Sequence, residues 1–231
     1  MSDRLINILV TSFPKILIPG LKVTIPLTIC AFAVSMVLAV LLAVVQVANV
    51  KVLKQISKFY IWVFRGTPLI VQLFIIFFGL PSIGIILNAF PAAVIAFGMN
   101  YAAYNAEVVR AAILAVPKGQ SEAAYLIGLT ETQAMRRVIL PQAFRVAFPS
   151  LFNNLISLVK DTSLAASITV IELFTAAQQI AARTYEPFAL YCEAALIYLI
   201  FCTVLTWLQT WIEEKMNWEN KAPKRIISNK I

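Results

Sequence analysis

The run EAAYLIGLTETQAMRRVILPQAF, residues 122–144, lies between two long apolar stretches and belongs to neither. It is too polar to cross a bilayer and too patterned for a slack linker. Glu122, Ala123 and Ala124 begin a short helical stretch that Gly128 is suited to end, because glycine takes the left-handed conformation at little cost. Thr130 then stands as the cap of a second helix, with Gln133 three residues on in capping-box spacing. That helix is expected to reach Leu140 and stop before Pro141, since a proline disfavours helical geometry in the residue it follows. Two short helices about a glycine corner form a knob that transmits movement if another protein grips it.

Outward from this loop the chain is membrane-like. Hydrophobic residues make up 61% of the 231 and charged residues 13%, against about 25% charged in soluble domains. The expected class is an all-α integral membrane protein. A crossing helix needs roughly 20 apolar residues. Residues 23–50 carry no charge and supply the first span. Residues 66–106 are also free of charge, which is room for two helices divided by Gly79, Pro81, Ser82 and Gly84, with Pro91 opening the second. This places span two at about 59–80 and span three at about 92–116. Span four, 150–174, carries Lys160 and Asp161 near its middle, and span five, 188–212, has Glu193 near its start.

Five spans sort the cations. Fourteen of the nineteen Lys and Arg residues fall on one side and four (Arg4, Lys15, Lys22 and Arg183) on the other, with Lys160 inside the membrane. The positive-inside rule therefore sets the N-terminus outside and the C-terminus in the cytoplasm. The chain reads as one transmembrane domain, 1–231: an external amphipathic segment at 1–22, a cytoplasmic loop at 118–149 and a cytoplasmic tail at 213–231. In the first of these, Leu5, Ile8, Leu9, Phe13, Ile16 and Leu17 recur at near-helical spacing, as in a helix lying on the outer membrane surface. Trp207, Trp211 and Trp218 are expected to anchor the cytoplasmic interface.

Several chemistries are excluded or unsupported. The chain has no histidine, so a Ser-His-Asp triad and His-ligated haem, zinc or copper are ruled out. Cys30, Cys192 and Cys202 sit in apolar runs outside any CxxC spacing. No GxxxxGK[ST] phosphate loop is present, so the chain is not a nucleotide hydrolase of that type. The surplus charge of +8 is explained by membrane orientation, not by nucleic acid. No catalytic residue, metal or cofactor is expected.

The loop's pattern resembles the EAA loop of ATP-binding-cassette importer permeases, with Glu122, Ala123, Ala124, Gly128, Leu140 and Pro141 at matching positions. Arg65-Gly66-Thr67-Pro68-Leu69 with Gln72, Tyr101 to Glu107, Arg110, Gly119-Gln120 and Lys160 to Leu164 are similar to the polar-amino-acid branch, the histidine/glutamine/arginine type. Arg183 to Phe188 looks closest to cystine permeases. The resemblance covers about residues 20–213. It implies the type I importer permease fold in a bacterial inner or plasma membrane. It also implies cytoplasmic ATPase subunits gripping residues 122–141, an identical or different second permease copy, and an extracellular or periplasmic amino-acid-binding protein. The function expected is import of a polar amino acid by alternating access. A membrane anchor or scaffold, and an ion-driven carrier using Lys160, Asp161 and Glu107 as relay groups, are the rivals.

Buried polar groups supply the candidate site. Asn100, Tyr104, Glu107 and Ala111 form a stripe at helical spacing, and Arg110 is within pairing reach of Glu107. Two readings of Glu107 and Arg110 stand side by side, a structural ion pair and a substrate contact. A mid-span charge is costly and tends to face a partner or cavity. Asp161, Thr162 and Ser163 are therefore expected in a locally irregular helix lining the substrate path, with Lys160 pairing locally or meeting the substrate's carboxylate. Gly66-Thr67-Pro68 reads as a structural turn shaping the start of span two.

Overall fold

A computed structural model describes residues 3–48 and 51–216. Its elements are helical throughout: α1 (Asp3–Pro19), α2 (Ile25–Val47), α3 (Lys51–Gly66), α4 (Leu69–Phe74), α5 (Ala89–Ala115), α6 (Lys118–Leu126), α7 (Glu131–Ala134), α8 (Leu140–Asp161), α9 (Leu173–Thr184) and α10 (Pro187–Met216). Trp218 and the tail cations Lys221, Lys224, Arg225 and Lys230 lie outside the described residues.

The centre of the fold is the pairing of α2 with α5, joined by α8. Their contact is made of small residues: Ala31 and Ala39 on α2, and Ala92, Ala96, Ala103 and Ala106 on α5, all fully buried. Small side chains let apolar helices approach closely enough for dispersion to hold them where lipid removes the hydrophobic drive. At Gly98 a Cβ would come within 2.8 Å of Val34 Cγ1, so only glycine fits there. Two helical runs are long and apolar enough to span a membrane unaided, Asp3–Val47 and Pro187–Met216, and two bent pairs qualify when each is taken as one span. Helix α5, 27 residues long, carries too many polar groups to qualify by composition, and it is the helix that the others surround.

Three expectations need correction. Span two is not one rod: α3 ends at Gly66, and the run from Leu69 leaves at 105° to it. The loop helix does not stop before Pro141, because helical geometry continues from Glu131 to Ile168. A π-turn, Met135–Ile139, precedes Pro141, and this widened turn lets the helix run on past the proline. The external segment is helical as its spacing requires, but it runs through a π-turn, Gly20–Thr24, directly into α2. Its stripe packs on protein: Ile16 is buried among Leu173, Leu190 and Ile197, with Ile8, Leu9 and Leu17 beside them. Arg4 donates to the Thr184 carbonyl at 3.3 Å, which sets the first turn of α1 beside the α9–α10 turn, two segments expected on the same side.

Candidate functional site

The kink in the second span creates the site. Proline at 68 holds φ −63° and ψ 137°, and with Gly66 before it no helix can pass. Breaking a helix inside a membrane frees carbonyls that lipid cannot satisfy. Here side-chain amides satisfy them. Gln72 Nε2 donates to the carbonyls of Phe64 (3.0 Å) and Thr67 (3.2 Å) and to Thr67 Oγ1 (2.7 Å). Asn100 Nδ2 donates to the Phe64 carbonyl at 3.2 Å and to Gln72 Oε1 at 3.0 Å. Gly66-Thr67-Pro68 is thus a structural turn, as read, but it lies within the span and not at its start.

Against this break stands a cavity of about 490 Å³, walled by residues 65–69, by Tyr101 and Tyr104 of α5 and by Asn154, Ser157 and Asp161 of α8. Tyr101 donates its hydroxyl to Asp161 Oδ2 at 2.7 Å. The Arg65 guanidinium lies over the Tyr104 ring, 5.3 Å from its centre, a cation–π contact. One cavity therefore presents a carboxyl group, a guanidinium and neutral amides and hydroxyls. Asp161 is where α8 tightens into the 3₁₀ turn Thr162–Ile168, the irregularity expected from its polar sequence. Behind the cavity, Asn154 donates to Asn105 Oδ1 (2.8 Å) and Asn105 to Ser35 Oγ (3.0 Å), tying α8, α5 and α2 together.

The expected site residues divide. Tyr104 and Asp161 meet in this cavity. Lys160 and Ser163 line a different one, about 570 Å³, with Tyr191 and Tyr198. Thr162 is fully buried, donates to the Val159 carbonyl at 2.7 Å and also meets the Tyr198 hydroxyl of α10, so it faces a packing contact and not this cavity. Glu107 and Arg110 form a two-point ion pair, Arg110 Nε at 3.1 Å from Glu107 Oε2 and Arg110 Nη2 on Glu107 Oε1. That pair borders a third cavity of about 700 Å³ with Lys54 and Lys58.

Sequence reading missed two residues. Arg65 was counted as a topological charge, although the Gly66-Thr67-Pro68 turn next to it was a signal that span two breaks there. Glu172 gave no local signal. It is fully buried and caps α9, accepting from the backbone N–H of Phe174 (2.9 Å) and Thr175 (2.7 Å), from Tyr198 OH (2.8 Å) and Thr175 Oγ1 (3.1 Å), and distantly from Thr24 (3.5 Å).

At the opposite end of α8 the glycine corner and the capping box of the elbow form as their sequence requires. Helix α6 begins a turn before Glu122, at Lys118. It ends in a Schellman closure: Gly128 at φ 84° donates to the Tyr125 carbonyl (3.0 Å) and Leu129 to that of Ala124 (3.1 Å). Thr130 and Gln133 complete the capping box. Glu122 and Ala123 are exposed, whereas Ala124 is buried. Leu126 and Ile127 at the tip are 88% and 77% exposed, an apolar point beside the charged stretch and open to a partner.

A helical membrane subunit with a broken span over a polar cavity, and an exposed elbow at the far end, is the architecture of a type I importer permease. The chain belongs to the family "binding-protein-dependent transport system inner membrane component", whose pattern matches residues 35–218. It is 50% identical over 207 residues to the L-cystine transport system permease protein TcyB of Bacillus subtilis (strain 168), covering 89% of this chain and 88% of that one. It is 45% identical over 205 residues to the probable amino-acid ABC transporter permease protein PatM of Vibrio harveyi, covering 87% and 92%. The crystal structure of an amino acid ABC transporter with histidines superposes with TM-score 0.85 at 35% identity, over 93% of this chain and all of that one. The inward-facing MetNI methionine ABC transporter, at 24% identity and TM-score 0.68 over 94% and 99%, shares the fold.

Proposed function

We propose that this permease subunit carries a polar, net-neutral amino acid into the cytoplasm by alternating access, with L-cystine the first candidate because of its similarity to TcyB. The observation that carries the reading is the presence of Arg65 and Asp161 in one membrane cavity. A zwitterion needs a cation for its carboxylate and an acceptor for its ammonium, and neither charge would be retained at membrane depth without use. Tyr101 holds the Asp161 carboxyl toward the cavity while leaving it lone pairs for a ligand. The two cavity walls bearing charge come from the broken span and from α8, so any tilt of α8 alters their spacing.

Hydrolysis of ATP belongs to partner subunits that dock on the elbow, where Glu122 and the apolar tip at Leu126 and Ile127 are exposed. A second permease copy completes the pathway, and an external binding protein delivers the solute. Co-reconstitution with a partner ATPase and an amino-acid-binding protein is expected to give ATP-dependent uptake of labelled cystine. Glu122→Lys is expected to abolish that uptake while leaving the permease inserted. Uptake that persists without the ATPase, or in Glu122→Lys, defeats the proposal.

A further inference from the structure

The cavity that holds Arg65 and Asp161 is not closed toward the α2–α3 end of the fold. It shares Arg65, Gly66 and Tyr104 with a smaller cavity of about 370 Å³. That one in turn shares Ile61 and Trp62 with the 700 Å³ cavity bordered by Lys54, Lys58, Glu107 and Arg110. The three form one groove between α3 and α5. Lys54, Lys58, Trp62 and Arg65 recur at helical spacing along one side of α3, and Tyr104, Glu107, Arg110 and Leu114 face them from α5. Cations thus follow one another along the groove, while its lower part has a single carboxyl, Glu107, already engaged by Arg110.

We infer that this groove is the inner leg of the substrate's route, and that Lys58 takes over the substrate's carboxylate after it leaves Arg65. Seven residues of helix separate Arg65 from Lys58, about 10 Å at 1.5 Å per residue. Across such a gap in a low-dielectric groove, a carboxylate released by one cation is still drawn by the next. The same field repels a positively charged side chain, so the exit leg selects neutral and acidic amino acids over basic ones independently of the cavity above. This rests on the proposed transport function and adds one residue, outside the cavity, that determines substrate charge. The rival occupant of a basic pocket at a membrane boundary is an anionic lipid headgroup.

The test uses the complete importer in proteoliposomes, with Cys30, Cys192 and Cys202 replaced by alanine and one cysteine introduced at a time. Trp62→Cys occupies the shared wall, at a position 71% exposed, and Leu114→Cys offers a second wall position if the first disturbs assembly. Leu41→Cys, exposed on α2 and lining none of these cavities, is the control. Small anionic and cationic thiosulfonates serve as probes. Near the basic wall the anionic probe is expected to react at least about fivefold faster than the cationic one. Lys58→Glu is expected to invert that order, and added substrate to slow both. Equal rates for the two probes, or labelling indifferent to substrate, overturns the proposal. So does a co-purifying anionic phospholipid whose removal alone changes the labelling. An unmodified complex that imports no amino acid rejects the proposed function itself; normal import with substrate-indifferent labelling rejects only the route.

Discussion

Asp161 and Glu172 are eleven positions apart, and the protein uses the two acids in opposite ways. Glu172 is fully buried and its oxygens are taken by donors from three elements. Asp161 is half-buried, has one donor, Tyr101, and faces a cavity. A carboxyl with every lone pair engaged holds a fold together. One with vacant lone pairs in a membrane cavity is poised to receive a ligand. The difference separates an acid saturated with donors from one with acceptor capacity to spare, and only the second fits the proposed substrate contact.

The contrast can be broken by substitution. Glu172→Ala strands at least two backbone N–H groups and a tyrosine hydroxyl, each worth about 1–3 kcal/mol when buried without a partner. Its expected cost is at least about 3 kcal/mol, read as a fall in the unfolding temperature of the purified complex. Asp161→Asn is expected to unfold within about 0.5 kcal/mol of the parent yet to import at least about tenfold more slowly, a loss of about 1.4 kcal/mol in transport alone. Equal uptake in that variant would place the site elsewhere.

Removing one donor from each acid sharpens the comparison. Tyr101→Phe frees Asp161 to turn and is expected to reduce uptake about two- to fivefold, with stability lowered by about 1 kcal/mol at most. Tyr198→Phe leaves Glu172 its backbone donors, so uptake is expected to hold and stability to fall by about 0.5–1.5 kcal/mol. A larger transport defect in Tyr198→Phe than in Tyr101→Phe would reverse the assignment of roles.

The elbow and the span order were legible because their causes are local. Gly128 takes a left-handed conformation and Thr130 pairs with Gln133 through bonds that reach at most a few residues. The break at Gly66-Thr67-Pro68 is written in equally local chemistry, but beside a charge-free run that opens at residue 66 it reads as a turn shaping the start of span two. Pro141 misled for the converse reason. Its signal to end a helix is genuine, yet the widened π-turn before it accommodates the ring and the helix runs on. Glu172 could not be found from sequence at all, since Thr24 lies 148 positions away and Tyr198 26. The division between Lys160 and Asp161 was equally hidden. Neighbours on a helix point about 100° apart, and which cavity each meets depends on where α5 and α10 pack.

The continuity of helical geometry from Glu131 to Ile168 has one more consequence. Asp161 and the capping box at Thr130 sit near the two ends of a single connecting rod, about 45 Å apart at 1.5 Å per residue. A swing of only about 5° at the cytoplasmic end therefore carries the carboxyl through an arc of about 4 Å, more than the length of a hydrogen bond. Under the proposed function, docking geometry and solute affinity are two readings of one angle, and a stiffer or softer rod changes the gearing between them without touching either surface.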